Sequence, residues 1–288
     1  MNHKSFYKEL IMHIGIGKTG TSSIQRMLVD NKEVLEENYY YYPSIALAKD
    51  AHHYLANYHY SKPDKIIRES IEEIIRQYHK SNYRVLLLSS EQFCYCKDSY
   101  VKEFSSYFHD WNVKIVFYVR KQTDLIKSAF LQKLYEGNDY SHDVATFFRK
   151  SKIAFNYLER VKPWEKYFGE DSITVRVFDG KKDICQDFVE AVGLNNIEIQ
   201  KTSYSVNMSI LPDFINLISL VDGLEPDANS RRAVVDNIKE LSERFKNSSS
   251  AVLLDNDLIN EINEYYKIPN QEFAHKYLCS TYEKELLG

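Results

Sequence analysis

Leu10-Ile-Met-His-Ile-Gly-Ile-Gly-Lys-Thr-Gly-Thr-Ser-Ser23 is the stretch on which the reading of this chain turns. Leu10 to Ile14 is a compact apolar run that stops at Gly15, the pattern of a buried strand feeding a glycine turn. From Thr21 to about Glu37 the pattern is helical, with Ile24, Met27, Leu28 and Leu35 near one face. Between strand and helix stand Gly15, Gly17 and Gly20, together with Lys18 and the hydroxyls of Thr19, Thr21, Ser22 and Ser23. The first amides of a helix have no partner within it, and the helix dipole favours an anion there. An ordinary N-cap at Thr21 or Ser22 accounts for one hydroxyl. It does not account for a lysine and several hydroxyls crowded among three glycines, so the segment reads as an anion-binding loop.

Working outward, Tyr39 to Pro43 reads as a loop, and Lys62 to Lys80 as an amphipathic helix burying Ile66, Ile67, Ile71, Ile74 and Ile75. Arg84–Ser89, Val113–Val119 and Ile173–Phe178 are further apolar strands; Thr123–Tyr135 and Asp183–Val192 are helical. Strands that are near-continuous apolar runs alternating with helices imply a parallel sheet covered on both faces. After about Ser203 the patterns are helical only, near Leu211–Val221, Asp227–Phe245 and Asp255–Tyr266. The expected fold is a three-layer α/β domain with a central parallel sheet and additional C-terminal helices. It forms a single domain over 1–288, with an α/β core in 1–202 and a mainly helical extension in 203–288.

Composition narrows the function classes. With 44% hydrophobic and 27% charged residues, the chain is neither disordered, nor collagen-like, nor a membrane bundle. Its 37 Lys+Arg against 41 Asp+Glu give a net charge of −4, which argues against a general nucleic-acid binder and leaves room only for a local basic pocket. Nine glycines and six prolines disfavour a turn-rich all-β fold. Cys94, Cys96, Cys185 and Cys279 are too few for a disulfide scaffold, and Cys94 and Cys96 lack the CxxC spacing of a zinc or redox site. Reduced thiols, an apolar stretch at Leu10–Ile16 too short to span a membrane, and no cleavage site after it give the expectation of a cytoplasmic protein. No His, Cys, Asp and Glu cluster has metal-ligand spacing, so no metal is expected.

The loop is not a Walker A motif, which would place a glycine at position 12, where Met12 stands. It resembles instead the 5′-phosphosulfate loop of sulfotransferases that use 3′-phosphoadenosine 5′-phosphosulfate (PAPS). Its pattern HIGxxKTGTxSxQ is especially similar to bacterial and carbohydrate-directed members. The resemblance implies that Lys18 contacts the transferring sulfuryl group and leaving phosphate, while Gly17, Thr19, Gly20, Thr21 and Ser22 wrap the phosphosulfate. Arg120, at the end of the third strand, and Ser128, eight residues on, resemble the family's 3′-phosphate site; taken alone they would be a surface arginine and a small helix residue. Glu91, in Ser89-Ser90-Glu91-Gln92-Phe93, follows the second strand at the carboxyl edge where open α/β sheets bind ligands. The resemblance implies that it takes the acceptor proton; a helix-capping or solvated glutamate is the plain alternative.

His52 and His53 compete for the role of base, because Tyr42-Pro43 followed by His52-His53-Tyr-Leu55 is similar to a segment of bacterial sulfotransferases. Without that likeness, adjacent histidines usually mean one packed and one exposed. Ile173–Phe178 with Asp179 and the helix after it resembles the family's late strand–helix unit. Arg231-Arg232 reads as a solvated helix face, or as a pair reaching cofactor or an acidic acceptor. The implied activity is sulfuryl transfer to a hydroxyl acceptor, a carbohydrate or glycoconjugate, with no nucleic-acid partner and no membrane span. A P-loop NTPase or small-molecule kinase, with Thr19 or Thr21 on the magnesium of Mg-ATP and Glu91 as the acid, remains the alternative. A non-catalytic nucleotide-binding protein is a third class. No feature of the sequence sets the acceptor's identity or the oligomeric state.

Overall fold

The computed structural model describes residues 8–56, 59, 62–137, 142–200, 210–245, 247 and 251–278. In chain order the elements are β1 (Glu9–Gly15), α1 (Thr21–Asp30), α2 (Lys32–Glu37), β2 (Tyr40–Tyr41), α3 (Lys65–Lys80), β3 (Val85–Ser89), α4 (Asp98–Ser106) and β4 (Asn112–Val119). They continue with α5 (Gln122–Glu136), α6 (Val144–Ser151), α7 (Tyr157–Phe168), β5 (Ile173–Val177), α8 (Ile184–Val192), α9 (Ile215–Gly223), α10 (Ala228–Phe245) and α11 (Asn256–Tyr277). Two compact units result, one from Met1–Arg120, Tyr157–Ser203 and Pro269–Gly288, the other from Lys121–Asn156 and Tyr204–Ile268.

The first unit holds the whole sheet, which is parallel throughout and ordered β2-β3-β1-β4-β5. This is the α/β architecture that the alternating strands and helices predict. β1 lies at the centre, with Leu10 opposite Leu86 and Val113, and Met12 opposite Leu88 and Ile115. It is buried from Leu10 onward, so both of its faces must be apolar, which is why it reads as a run rather than an alternation. On one face Ile11, Leu87, Val116 and Tyr118 pack with Ile24, Met27 and Leu28 of α1 and with Phe188, Val189 and Val192 of α8. On the other, Phe117 meets Tyr157 of α7 edge-on at 6.1 Å.

An aromatic ladder extends this second layer. Trp164 of α7 lies against Phe93 and Phe104, Phe104 against Phe108, Phe108 against Trp111, and Trp111 against Tyr78 of α3. Trp164 is fully buried and donates its ring N–H to the Phe93 carbonyl at 3.3 Å, which satisfies the one polar atom the ring carries inside.

Local differences from the sequence reading have physical causes. The helix expected over Thr21–Glu37 breaks at Asn31, whose buried amide donates to the Met27 and Gln200 carbonyls and accepts the Gln200 N–H at 2.7 Å. Tyr40–Tyr41, within the expected loop, pairs with Val85 and Leu86 as a two-residue edge strand. α4, α6 and α7 occupy stretches that the periodicity left unassigned. Cys279 and Ser248–Ser250 lie outside the described residues. None of the helices in the described residues is long and apolar enough to cross a membrane.

The second unit is helical. Asp143 caps α6 through the Ala145 and Thr146 amides, and Phe148 packs on Tyr265 and Tyr266 of α11. The solvated reading of Arg231 is corrected here. Its side chain is only 14% exposed; Nε donates to Asp222 Oδ1, Nη1 to the Tyr135 carbonyl at 3.0 Å and Nη2 to the Leu134 carbonyl at 2.8 Å. Asp222 also meets His142 Nε2 at 2.7 Å. Burial alone would raise the Asp222 carboxyl, but the hydrogen bonds from Arg231 and His142 outweigh it and hold the group below its ordinary value. Arg232 stays exposed and lies 4.0 Å over the Tyr135 ring.

Candidate active site

The chain leaves β1 toward β2 and leaves β4 toward β5, on opposite sides of the sheet, so the crevice between the carboxyl ends of β1 and β4 is a topological switch point. The loop 16–20 and Arg120 border it. Ile16 N–H donates to the Tyr118 carbonyl at 3.1 Å, and the buried Thr19 hydroxyl turns back to the Ile16 carbonyl at 2.5 Å. These bonds shape the loop from inside. Lys18 is held at φ 70°, a left-handed conformation that a side chain adopts at a cost of roughly 1–2 kcal/mol.

Gly20 caps α1 at φ 79° with no side-chain cap. A Cβ there would lie 3.0 Å from Ile184 Cγ1 and 3.3 Å from Phe178 Cε2, so both backbone and space require glycine. α3, α6 and α8 are capped instead by the carboxylates of Asp64, Asp143 and Asp183. The amides of Thr21 and Ser22 sit in the first turn of α1, where no intrahelical acceptor exists. Thr21 is buried and Ser22 exposed.

Arg120 is half-buried beside this loop. Its Nη1 donates to the Lys18 carbonyl at 3.1 Å, and its guanidinium carbon lies 5.5 Å from the Phe178 ring centre. The Tyr157 hydroxyl accepts the Arg120 N–H at 3.2 Å and donates to the Arg120 carbonyl. Ser128 lies half-buried on α5, in the second unit.

Glu91 follows β3. Its Oε2 accepts the Gln25 side-chain amide at 2.7 Å, and its Oε1 lies 3.9 Å from His53 Nε2. His53 Nδ1 is 2.8 Å from the Ser90 hydroxyl, which also accepts the Gln92 N–H at 3.1 Å. Gly15, at φ 99°, makes the closest approach: a Cβ on it would fall 2.7 Å from Glu91 Cα. Gly17 is looser, 3.6 Å from Glu91 Cγ by the same measure.

The two adjacent histidines part company. His52 is fully buried, its Nε2 3.0 Å from the Pro43 carbonyl and its Nδ1 accepting the Ser89 N–H at 3.2 Å. Nε2 therefore carries the proton and both nitrogens are engaged by backbone. Burial lowers its pKa to about 4. It is not placed to take a proton from an outside hydroxyl; it fastens its segment to β3 and sets His53 beside Glu91. His13 is likewise interior, 2.8 Å from the Ser89 hydroxyl, with a pKa lowered by burial to about 3.

Lys18 and Arg120 thus adjoin in the first unit, as do Glu91 and His53. Gln25, Ser90, Tyr157 and Phe178 were missed as site residues. Gln25 had a usable signal, four residues after Thr21 on the same helical face, and Ser90 stands next to Glu91 in the chain; Tyr157 and Phe178 come from remote segments. Among the described residues no group of three or more His, Cys, Asp or Glu side chains converges as a metal site.

No protein-family profile matches the chain. An uncharacterized protein of Archaeoglobus fulgidus is 26% identical over 169 residues, 55% of this chain and 44% of that protein. The chain therefore spans less than half the length of that relative. Among solved structures, a sulfotransferase from Alicyclobacillus acidocaldarius is similar over 78% of this chain and 95% of its own, at 15% identity and a TM-score of 0.45.

Proposed function

We propose that this chain is a sulfotransferase that moves a sulfuryl group from PAPS to a hydroxyl acceptor. The observation that carries the reading is the start of α1. It is a helix N-terminus with glycine in place of a capping side chain, preceded by a left-handed Lys18 and flanked by Arg120, at the switch point of a parallel sheet. The residues fit a nucleotide phosphosulfate: the first-turn amides of α1, started by a glycine with no capping side chain, form with Ser22 a donor set for an anion. PAPS, when bound, supplies a sulfuryl group on a phosphate leaving group. The Lys18 ammonium offsets the negative charge that grows on the bridging oxygen during transfer. Arg120 presents a fork suited to the 3′-phosphate and so orients the nucleotide. The role of Ser128 at that phosphate rests on the sequence resemblance alone.

Glu91 takes the acceptor proton on Oε1, the oxygen that Gln25 does not hold, as the acceptor oxygen bonds to sulfur. His53, steadied by Ser90, stands behind that oxygen. A glycan acceptor is supported by the likeness of the loop to carbohydrate-directed members. The test is calorimetric. Adenosine 3′,5′-bisphosphate should bind without metal, more tightly than ADP, and Arg120→Ala should weaken it more than ADP by roughly tenfold or more. Tighter binding of Mg-ATP than of the bisphosphate would replace this reading with the kinase one.

A further inference from the structure

We infer that Gln25 is a positioning residue that couples the base to the donor site; its catalytic consequence rests on the sulfotransferase reading. Gln25 is 4% exposed, and its amide nitrogen lies 2.7 Å from Glu91 Oε2. An amide nitrogen only donates, so Oε2 is the acceptor and this contact orients the Glu91 carboxyl group. Thr21 and Gln25 are i and i+4 on α1 and both are buried, so they share one face of the helix. The helix that offers its first amides to the donor therefore grips Glu91 one turn later. From the other direction Gly15 lies so close to the Glu91 backbone that a Cβ on it would fall 2.7 Å from Glu91 Cα, so the loop before α1 and the second turn within it border the same residue. With Oε2 held, Oε1 is left as the oxygen nearest His53. A single turn of helix sets the distance between leaving-group contacts and base, so donor and base are registered by one rigid element.

The inference is tested with Gln25→Met, which keeps the side-chain length and removes the donor, and with Gln25→Glu, which keeps the shape and sets a second carboxylate against Glu91. Turnover of PAPS to adenosine 3′,5′-bisphosphate, with water as acceptor, is compared with bisphosphate affinity by calorimetry. Both variants should lose roughly 10–100-fold in kcat while the bisphosphate Kd stays within about twofold. Unchanged kcat, or equal losses in kcat and Kd, overturns the positioning role. A second readout does not need turnover: in ¹⁵N spectra of the full chain, the Gln25 side-chain amide should shift when Glu91→Gln replaces its carboxyl acceptor. An amide that ignores that change overturns the contact itself. If the native protein turns over no PAPS, the sulfotransferase reading falls, and the amide resonance still decides whether Gln25 holds Glu91.

Discussion

The N-terminus of α1 and the C-terminus of α5 both finish on a left-handed glycine, Gly20 at φ 79° and Gly137 at φ 74°, yet the two ends are completed in opposite ways. At α5, Gly137 N–H returns to the Leu134 carbonyl, and Arg231 closes the Leu134 and Tyr135 carbonyls while Asp222 balances its charge. Every partner there is supplied from within the same unit. At α1 the cap has no side chain, and the Thr21 and Ser22 amides start the helix without an acceptor in it. Both regions bring cations to a helix end. Only one leaves its hydrogen-bonding capacity outward, and a helix end completed by side chains of neighbouring helices in its unit is architecture, whereas an open one is where an anion belongs.

The sharpest way to break this contrast is at the two cations. Lys18→Ala should lower the rate of PAPS turnover by roughly 10²–10³-fold. It should reduce bisphosphate affinity much less and leave the urea midpoint nearly unchanged. Arg231→Met should do the reverse, lowering stability by about 3 kcal/mol because it strips Asp222 of its main partner. Bisphosphate affinity, read by calorimetry, should not move. If Arg231→Met abolishes binding, the α5 end is no mere closure.

Acid should separate the buried histidines from the Asp222 cluster. The folded pKa of His52 is depressed, so the unfolded chain takes up a proton first. The stability this provides is full above about 6.5 and is lost as pH falls toward about 4, up to about 3 kcal/mol. His13 acts in the same sense. Asp222 has the depressed carboxylate's behaviour, so its contribution persists through that window and is lost only at lower pH. Urea denaturation across the window should show a slope that His52→Asn reduces. A slope unaltered by that change would mean the His52 ring is solvated. Smallest in effect are the glycines. Gly20→Ala and Gly137→Ala should each cost about 1–2 kcal/mol in stability from the left-handed backbone, with crowding against Ile184 and Arg231 adding to it. Gly20→Ala alone should also weaken the bisphosphate, and equal binding by both variants would erase the distinction between the two ends.

Much of this was legible along the chain. Leu10–Ile14 and Val85–Leu88 read as buried strands because each is covered on both faces, and the glycine loop with Lys18 is local chemistry that needs no tertiary context. What escaped depends on partners distant in sequence. Arg231 resembles a solvated residue until Asp222 and the end of α5 are brought to it. His52 and His53 are indistinguishable as letters; the Pro43 carbonyl and the Ser89 amide make one of them interior. Tyr40–Tyr41 is too short to show a strand period and is a strand only because β3 lies beside it. Asn31 ends α1 through a backbone partner at Gln200.

The aromatic ladder has a practical consequence for measurement. Both tryptophans of the chain, Trp111 and Trp164, sit in it, and both belong to the first unit. Light absorbed by indole alone therefore reports on the sheet-bearing unit, while the second unit emits only through its tyrosines. Following unfolding by indole fluorescence and by far-ultraviolet circular dichroism gives two curves with different vantage points. Superimposed, they would show one cooperative melting event for the whole chain. Displaced, they would order the loss of the two units, with no label added to the protein.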